Sequence, residues 1–288
     1  MLTYAQNFED VMLARLFANQ TEGFYIDVGA WHPEIHSVTK YFYDRGWRGV
    51  NVEPIRRNWQ GFQETRARDV NLNVALSDRS GSLRFYECAT DTALSTMDPD
   101  QAAELRRREL PVEEYDVQVL RLDDVIEQHA PSVIDFLKID VEGAEAMVLA
   151  GLDLARHRPR VLVIEATKPA TAIDDWDRID DIANWMRWEP SILAAGYAFA
   201  YYDGLSRFYV RCDESALAQR LRLPPGVYDR LEYPEASDLR ELRADHAARG
   251  ELIQKISEML RVCEADRAAR LNVIDRLVER LKGIKRFL

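Results

Sequence analysis

Phe24-Tyr25-Ile26-Asp27-Val28-Gly29-Ala30 is followed, 24 residues after its glycine, by Glu53 at the end of Gly49-Val50-Asn51-Val52-Glu53-Pro54. The first run is apolar apart from Asp27 and stops at a glycine, so it reads as a buried strand and a sharp turn. The second reads as another buried strand, ending on a carboxylate. Together they describe half of a crevice for a nucleotide-type cofactor, in which Glu53 is placed to accept both ribose hydroxyls and Asp27 to anchor the loop. Asp-x-Gly turns also end strands for purely structural reasons; it is the spacing to Glu53 that favours a ligand. Gly29-Ala30-Trp31-His32-Pro33 lacks the second and third glycines that bring a helix N-terminus onto a pyrophosphate. A dinucleotide is therefore disfavoured, and a nucleoside cofactor without phosphates, S-adenosylmethionine above all, is favoured.

Working outward, strand-like runs recur at Phe24 to Val28, Gly49 to Val52, Val70 to Leu76, Ile134 to Ile139 and Val161 to Ile164, with helical segments between them. Helical spacing or composition marks Asn7 to Ala18, Ser37 to Asp44, Asn58 to Arg66 and Leu122 to Gln128. This alternation predicts an α/β fold, a mainly parallel, doubly wound sheet. Gly81 to Tyr86 reads as an extra strand. Asp91 to Asp116 is a charged stretch with a short helix after Asp98-Pro99, read equally as a lid or as a solvated excursion. Gly196 to Gly204 and Arg207 to Val210 flank an Asp-Gly turn and predict an antiparallel edge hairpin.

From Leu239 to Leu288, alternating steps of three and four connect Leu239, Leu242, His246, Arg249, Ile253 and their successors, with no proline. That register predicts a coiled coil through which the chain self-associates, although four of the fifteen seam positions are His or Arg. The alternative is one amphipathic helix packed on the body or lying on an anionic membrane surface. Two parts are expected, 1–230 globular and 236–288 helical.

The 288 residues are 47% hydrophobic, enough for one sizeable core, and no run approaches 18 uninterrupted apolar residues. The first ten residues form neither a basic nor an apolar leader segment, so a cytoplasmic protein is expected. Cys88, Cys212 and Cys263 are widely spaced and suggest neither disulfides nor zinc. The net charge of −11 speaks against a nucleic-acid partner. It is uneven: from Ala236 onward 12 Lys and Arg face 9 Asp and Glu, leaving −14 on the rest.

A second chemical stretch is Phe136-Leu137-Lys138-Ile139-Asp140-Val141-Glu142-Gly143-Ala144-Glu145. The two-residue period puts Lys138 and Asp140 on one side of a strand, with Asp140 at its carboxyl end, where open parallel sheets bind ligands. A lysine and an acid buried there are costly unless paired or functional. Glu142 and Glu145 also suit the start of the next helix as capping acids. Glu165 ends the adjacent strand, so Asp140 and Glu165 are placed to share a proton or a divalent cation such as Mg2+.

These strings, with Gln6, Glu9-Asp10, Ser37, Thr39, Gly46-Trp47-Arg48-Gly49 and Asp203-Gly204-Leu205-Ser206-Arg207-Phe208-Tyr209-Val210, resemble the FkbM-type methyltransferases over roughly Thr3 to Arg230. The resemblance implies a class I Rossmann-like fold, S-adenosylmethionine as methyl donor and O-methylation of hydroxyls on sugars or secondary metabolites. It further implies that Asp27, Gly29 and Ala30 hold the methionine end, that Glu53 holds the ribose, and that Ala75-Leu76-Ser77-Asp78 rims the adenine. His32, Ser37 and Thr39 follow the first loop, within reach of methionine or substrate, and Glu142 joins them as a candidate substrate residue. The expected catalytic group is Asp140 as base, oriented by Lys138, with Glu165 as second carboxylate or metal ligand. The acceptor is read as a glycan or glycosylated intermediate of surface polysaccharide synthesis; a small-molecule metabolite, or a cofactor-binding scaffold that works through its coiled coil, are the alternatives.

Overall fold

The computed structural model describes residues 1–167 and 183–233. They belong to a unit running from Met1 to Pro234. The heptad run from Leu239 and Cys263 lie outside the described residues.

The strands are β1 (Phe24–Val28), β2 (Arg48–Val52), β3 (Val70–Leu72), β4 (Ala75–Leu76), β5 (Gly81–Cys88), β6 (Val112–Leu120), β7 (Phe136–Ile139), β8 (Val161–Glu165), β9 (Tyr197–Tyr202) and β10 (Ser206–Arg211). The main sheet runs β3-β2-β1-β7-β8-β10-β9; its first five strands are parallel, while β10 lies antiparallel to both β8 and β9. The edge hairpin is thus as its Asp203-Gly204 turn indicates. The helices are α1 (Glu9–Leu16), α2 (Lys40–Asp44), α3 (Arg56–Thr65), α4 (Pro99–Arg107), α5 (Leu122–His129), α6 (Glu145–Ala150), α7 (Leu154–His157), α8 (Glu189–Ala194) and α9 (Ser215–Ala218).

Strand alternation sorts the core into two layers. Ile26, Val28, Leu137, Ile139, Leu162 and Ile164 pack with Val125 and Ile126 of α5, Val148 and Leu149 of α6 and Ile192 of α8. Tyr25, Phe136, Val161 and Val163 point the other way, onto Met12, Leu13 and Leu16 of α1 and Phe42 of α2. With both faces covered, the central strands β1, β2, β7 and β8 are mostly apolar on both sides, and the few polar residues in them, such as Asp27 and Lys138, stand out.

Two expectations need correction. Val70 to Leu76 is not one strand: Asn73 donates its side-chain amide to the carbonyls of Glu53 and Pro54, and the chain turns there into a second, three-stranded sheet ordered β4-β6-β5. Asp91 to Asp116 is not a single excursion either. The helix after Asp98-Pro99 is α4, with the Asp98 carboxylate capping the amide of Asp100, but residues from Val112 onward form β6, which pairs with β5 along its length. Val117 and Val119 face a third apolar cluster with Ile55, Ala75, Phe85 and Met97, while the intervening charges face outward.

Candidate active site

The order of strands reverses at β1, whose neighbours are β2 on one side and β7 on the other. A crevice opens at the carboxyl ends of such a pair, and there the register sets Asp27 opposite Lys138. Both point to the α1 side with Tyr25 and Phe136. Asp27 is 1% exposed and Lys138 7%.

The Lys138 ammonium is enclosed by three oxygens: the Gly29 carbonyl at 3.1 Å, Asp27 Oδ1 at 3.2 Å and Asp140 Oδ2 at 3.3 Å. Burial alone would depress the lysine; Asp27 and Asp140 more than offset it and hold the amine above its usual range. Lys138 is therefore a fixed cation that orients carboxylates, and it does not serve as a base. The second oxygen of Asp27 accepts the Thr39 hydroxyl at 3.0 Å.

Gly29 adopts φ +76°, and a Cβ there would lie 1.8 Å from the backbone oxygen of Asp140. The glycine is required by the close approach of the loops after β1 and β7, beyond any ligand it admits.

Further carboxyls crowd around this centre. Glu165 is 4% exposed, and burial together with Glu142 and Asp140 pushes it well above the usual carboxylate range. Glu142 is likewise pushed up by burial and by Asp140 and Glu145. Carboxylate oxygens of Asp140, Glu142 and Glu165 lie within 4.8 Å of one another, and Glu142 Oε2 and Glu165 Oε2 have no hydrogen-bond partner among the described residues. Such a set of hard oxygens fits either shared protons or one divalent cation. Glu145 has a different task. It folds back to accept the amides of Val141 and Gly143 and is held by Asn184, shaping the loop in which Glu142 takes a left-handed φ of 53°. Its carboxyl is raised by burial to about 7.

A cleft opens beside these groups. One wall is apolar, made of Pro54, Ile55, Ala75, Leu76, Phe85 and Met97; another is polar, with Lys138, Asp140 and Glu142. Between them Glu53 accepts the backbone amides of Ile55 at 2.8 Å and Trp31 at 2.9 Å, and burial raises it to about 8. Oε1 also accepts the Asn58 side-chain amide at 3.4 Å, whereas Oε2 retains a lone pair for a ligand hydroxyl.

Of the residues singled out in the sequence, Gly29, Ala30, Glu53, Lys138, Asp140 and Glu142 line this cleft. The others stand behind it. Asp27 and Thr39 support Lys138. Ser37 accepts a hydrogen bond from the buried guanidinium of Arg66 at 3.0 Å. Ser77 is fully buried and donates to Asp78 at 3.0 Å, so Ala75 and Leu76 supply the rim instead. His32 Nδ1 accepts the amides of Glu34 and Ile35, which orders its own loop.

The cleft also has polar residues that sequence reasoning did not single out as site residues, among them Gln6, His36, Thr92 and Ser95. Only Gln6 carried a signal, as part of a longer string. Glu9 does not line the cleft. It is 4% exposed and raised to about 8 by burial and by Asp203.

A family model described as the Methyltransferase FkbM domain matches residues 27–199, more than half of the chain. The chain belongs to this family. The match opens on Asp27 and takes in Glu53, the Lys138–Asp140 pair and Glu165, so every residue lining the cleft except Gln6 lies inside the FkbM domain. A solved structure, the methyltransferase FkbM from Methylobacillus flagellatus KT, is similar at 17% sequence identity and a TM-score of 0.41. That likeness covers 66% of this chain and 44% of the other, so this FkbM chain spans less than half of that protein's length. No curated protein matches it. No helix among the described residues is long and apolar enough to cross a membrane.

Proposed function

We propose that this FkbM domain is an S-adenosylmethionine-dependent O-methyltransferase acting on a hydroxyl of a glycan or glycosylated intermediate. The observation that carries the reading is the junction at the β1–β7 switch point: an apolar wall and a ribose-type carboxylate on one side, a fixed Lys138–Asp140 pair on the other. In that cleft the apolar wall suits an adenine, Glu53 a ribose, and the loop Gly29-Ala30 the methionine end. S-adenosylmethionine supplies an electrophilic methyl group when bound.

The protein's own part is alignment and proton removal. Sugar hydroxyls are very weak acids, so a carboxylate must take the proton as the oxygen reacts. Asp140 is the carboxylate that both lines the cleft and is oriented by a cation. Lys138 holds it through Oδ2 at 3.3 Å, leaving Oδ1 for the acceptor. Positioning of donor and acceptor supplies the larger share, up to roughly 7–11 kcal/mol.

Calorimetry with S-adenosylmethionine and S-adenosylhomocysteine, followed by transfer of labelled methyl to surface glycans and to glycan-free acceptors, tests the reading. Failure of the cofactor to bind removes it. Transfer only to glycan-free acceptors replaces the glycan by a small metabolite, and binding without any turnover leaves a cofactor-binding scaffold. The clustering of Asp140, Glu142 and Glu165 favours a second element, a Mg2+ ion that lowers the acceptor hydroxyl's pKa. Activity lost with chelator and restored by Mg2+ supports the ion; a chelator-insensitive reaction leaves shared protons as the role of the cluster. Self-association through 239–288 belongs to the same proposal and is read from the solution mass of the full chain.

A further inference from the structure

The cleft has a side that neither the cofactor reading nor the proton acceptor uses. Trp31 and His36 both border it. Their rings stack at 5.7 Å between centroids and 24° between planes, while His32 leans on Trp31 from 5.7 Å at 52°. His36 is the exposed member, so its imidazole is the ring whose face solvent and ligands reach.

The arrangement is held in place at both polar ends of Trp31. Its backbone amide donates to Glu53 Oε2 at 2.9 Å, and its indole Nε1–H donates to the Thr92 hydroxyl at 2.9 Å. Trp31 and His36 also take left-handed backbone conformations, φ 53° and 51°, which non-glycine side chains seldom adopt. A backbone bridge to Ala5 secures His36 in that geometry. Strain of this kind persists where the surroundings over-determine it, and it concentrates at ligand sites. The result is a rigid aromatic ledge in the same cleft as Gln6, Asp140 and Glu142.

We infer that the Trp31–His36 stack is the platform on which the acceptor lies, taking the apolar C–H face of a pyranose ring, with its hydroxyls directed to Gln6, Asp140 and Glu142. Hexopyranoses present one such face together with a rim of hydroxyls, and an aromatic plane beside carboxylates and an amide matches both. The same geometry gives Glu53 two tasks: its Oε2 fixes the ledge through the Trp31 amide and keeps one lone pair for the cofactor. This inference rests on the methyl-transfer reading for the position of the reacting hydroxyl; the binding of the ring itself is measured separately.

The test is saturation-transfer NMR on the full chain with S-adenosylhomocysteine present. The probes are the methyl α-pyranosides of glucose, mannose and galactose, with mannitol as an open-chain polyol of like hydroxyl content. Saturation should reach the ring C–H protons of at least one pyranoside and not mannitol. His36→Asn, which tolerates a left-handed backbone but removes the ring, should weaken that pyranoside roughly threefold to tenfold. His36→Phe, which keeps a ring face and loses both nitrogens, should restore it to within about twofold. Equal saturation of mannitol, silence from all three pyranosides, or loss in His36→Phe as large as in His36→Asn would overturn the platform. Calorimetry with S-adenosylhomocysteine should give the same affinity in all three proteins. A wild-type chain that does not bind it, yet saturates the pyranoside, would sink the methyltransferase reading and leave the platform standing.

Discussion

Asp27 and Glu165 stand on the two strands that flank β7, both almost fully buried, yet they live under opposite electrostatic conditions. Asp27 faces Lys138 across the β1–β7 register at 3.2 Å. Glu165 has Asp140 and Glu142 as neighbours, and together with burial they push its carboxyl well above the usual carboxylate range. A buried carboxylate is tolerated when paired; unpaired, it neutralises itself. Asp140 lies between the two regimes, 3.3 Å from the Lys138 ammonium and clustered with the carboxyls of Glu142 and Glu165. One lysine in a crowd of carboxyls thus selects which acid is placed for chemistry.

The sharpest way to break this contrast is Lys138→Met. It leaves Asp27 buried without its cation, a change that costs about 3–5 kcal/mol in comparable pairs. Urea denaturation should show a loss of that size, and Asp27→Asn combined with Lys138→Met should recover part of it. If Lys138→Met stays within about 1 kcal/mol of the parent, the ammonium is not what keeps Asp27 in place.

Asp140→Asn comes next. It removes the proton acceptor but keeps the size, so turnover should fall roughly 100-fold to 10,000-fold while S-adenosylhomocysteine affinity changes only a few-fold. Unchanged turnover with the cofactor still bound would move the base elsewhere in the cleft.

The contrast was half legible in the sequence. Asp27, Lys138, Asp140 and Glu165 sit at or near the ends of runs with no other charge, and a charge in a strand covered on both faces announces itself. The β4–β6 sheet announced itself poorly. Glu113, Glu114 and Asp116 made 112–120 look like a surface excursion, because only Val117 and Val119 of that strand are buried. Asn71 and Asn73 did not mark a break in Val70 to Leu76, since the turn depends on carbonyls of Glu53 and Pro54 that are distant in sequence. His36 gave no signal at all: one histidine in an irregular loop becomes a cleft residue only when Trp31 is seen beside it. Ser37 and Thr39 were right in neighbourhood and different in task, because their hydroxyls are spent on Arg66 and Asp27.

The unpaired side of the contrast is sharpened by pH. Glu9 is raised from 4.5 to about 8, first by burial and then by Asp203. The folded state therefore holds a proton that the unfolded state releases above pH 4.5. The stabilisation is fully present below that pH and is lost as pH rises through about 8. Glu9→Gln keeps the neutral form at every pH, and its amide oxygen still accepts the Asn7 amide that Glu9 Oε2 accepts at 2.9 Å. The variant should match the parent near pH 5 and exceed it by about 2 kcal/mol near pH 9, read from denaturation curves. Parallel pH profiles for the two proteins would show that Glu9 is ionised when folded.

The smallest effect belongs to the paired side. Thr39 is fully buried, and its hydroxyl donates to the Asp27 oxygen opposite the one facing Lys138, at 3.0 Å. Thr39→Val keeps the shape and removes that donor, which to a charged acceptor contributes about 1.5–3 kcal/mol. The loss should fall at the lower end, near 1.5 kcal/mol, because Lys138 remains to hold the carboxylate. Acceptor KM should not move, since Thr39 does not line the cleft. In the Asp27→Asn background the same substitution should cost less than half as much, because the acceptor is then neutral. An undiminished cost there would mean that Thr39 stabilises the fold through packing, and that Asp27 depends on Lys138 alone.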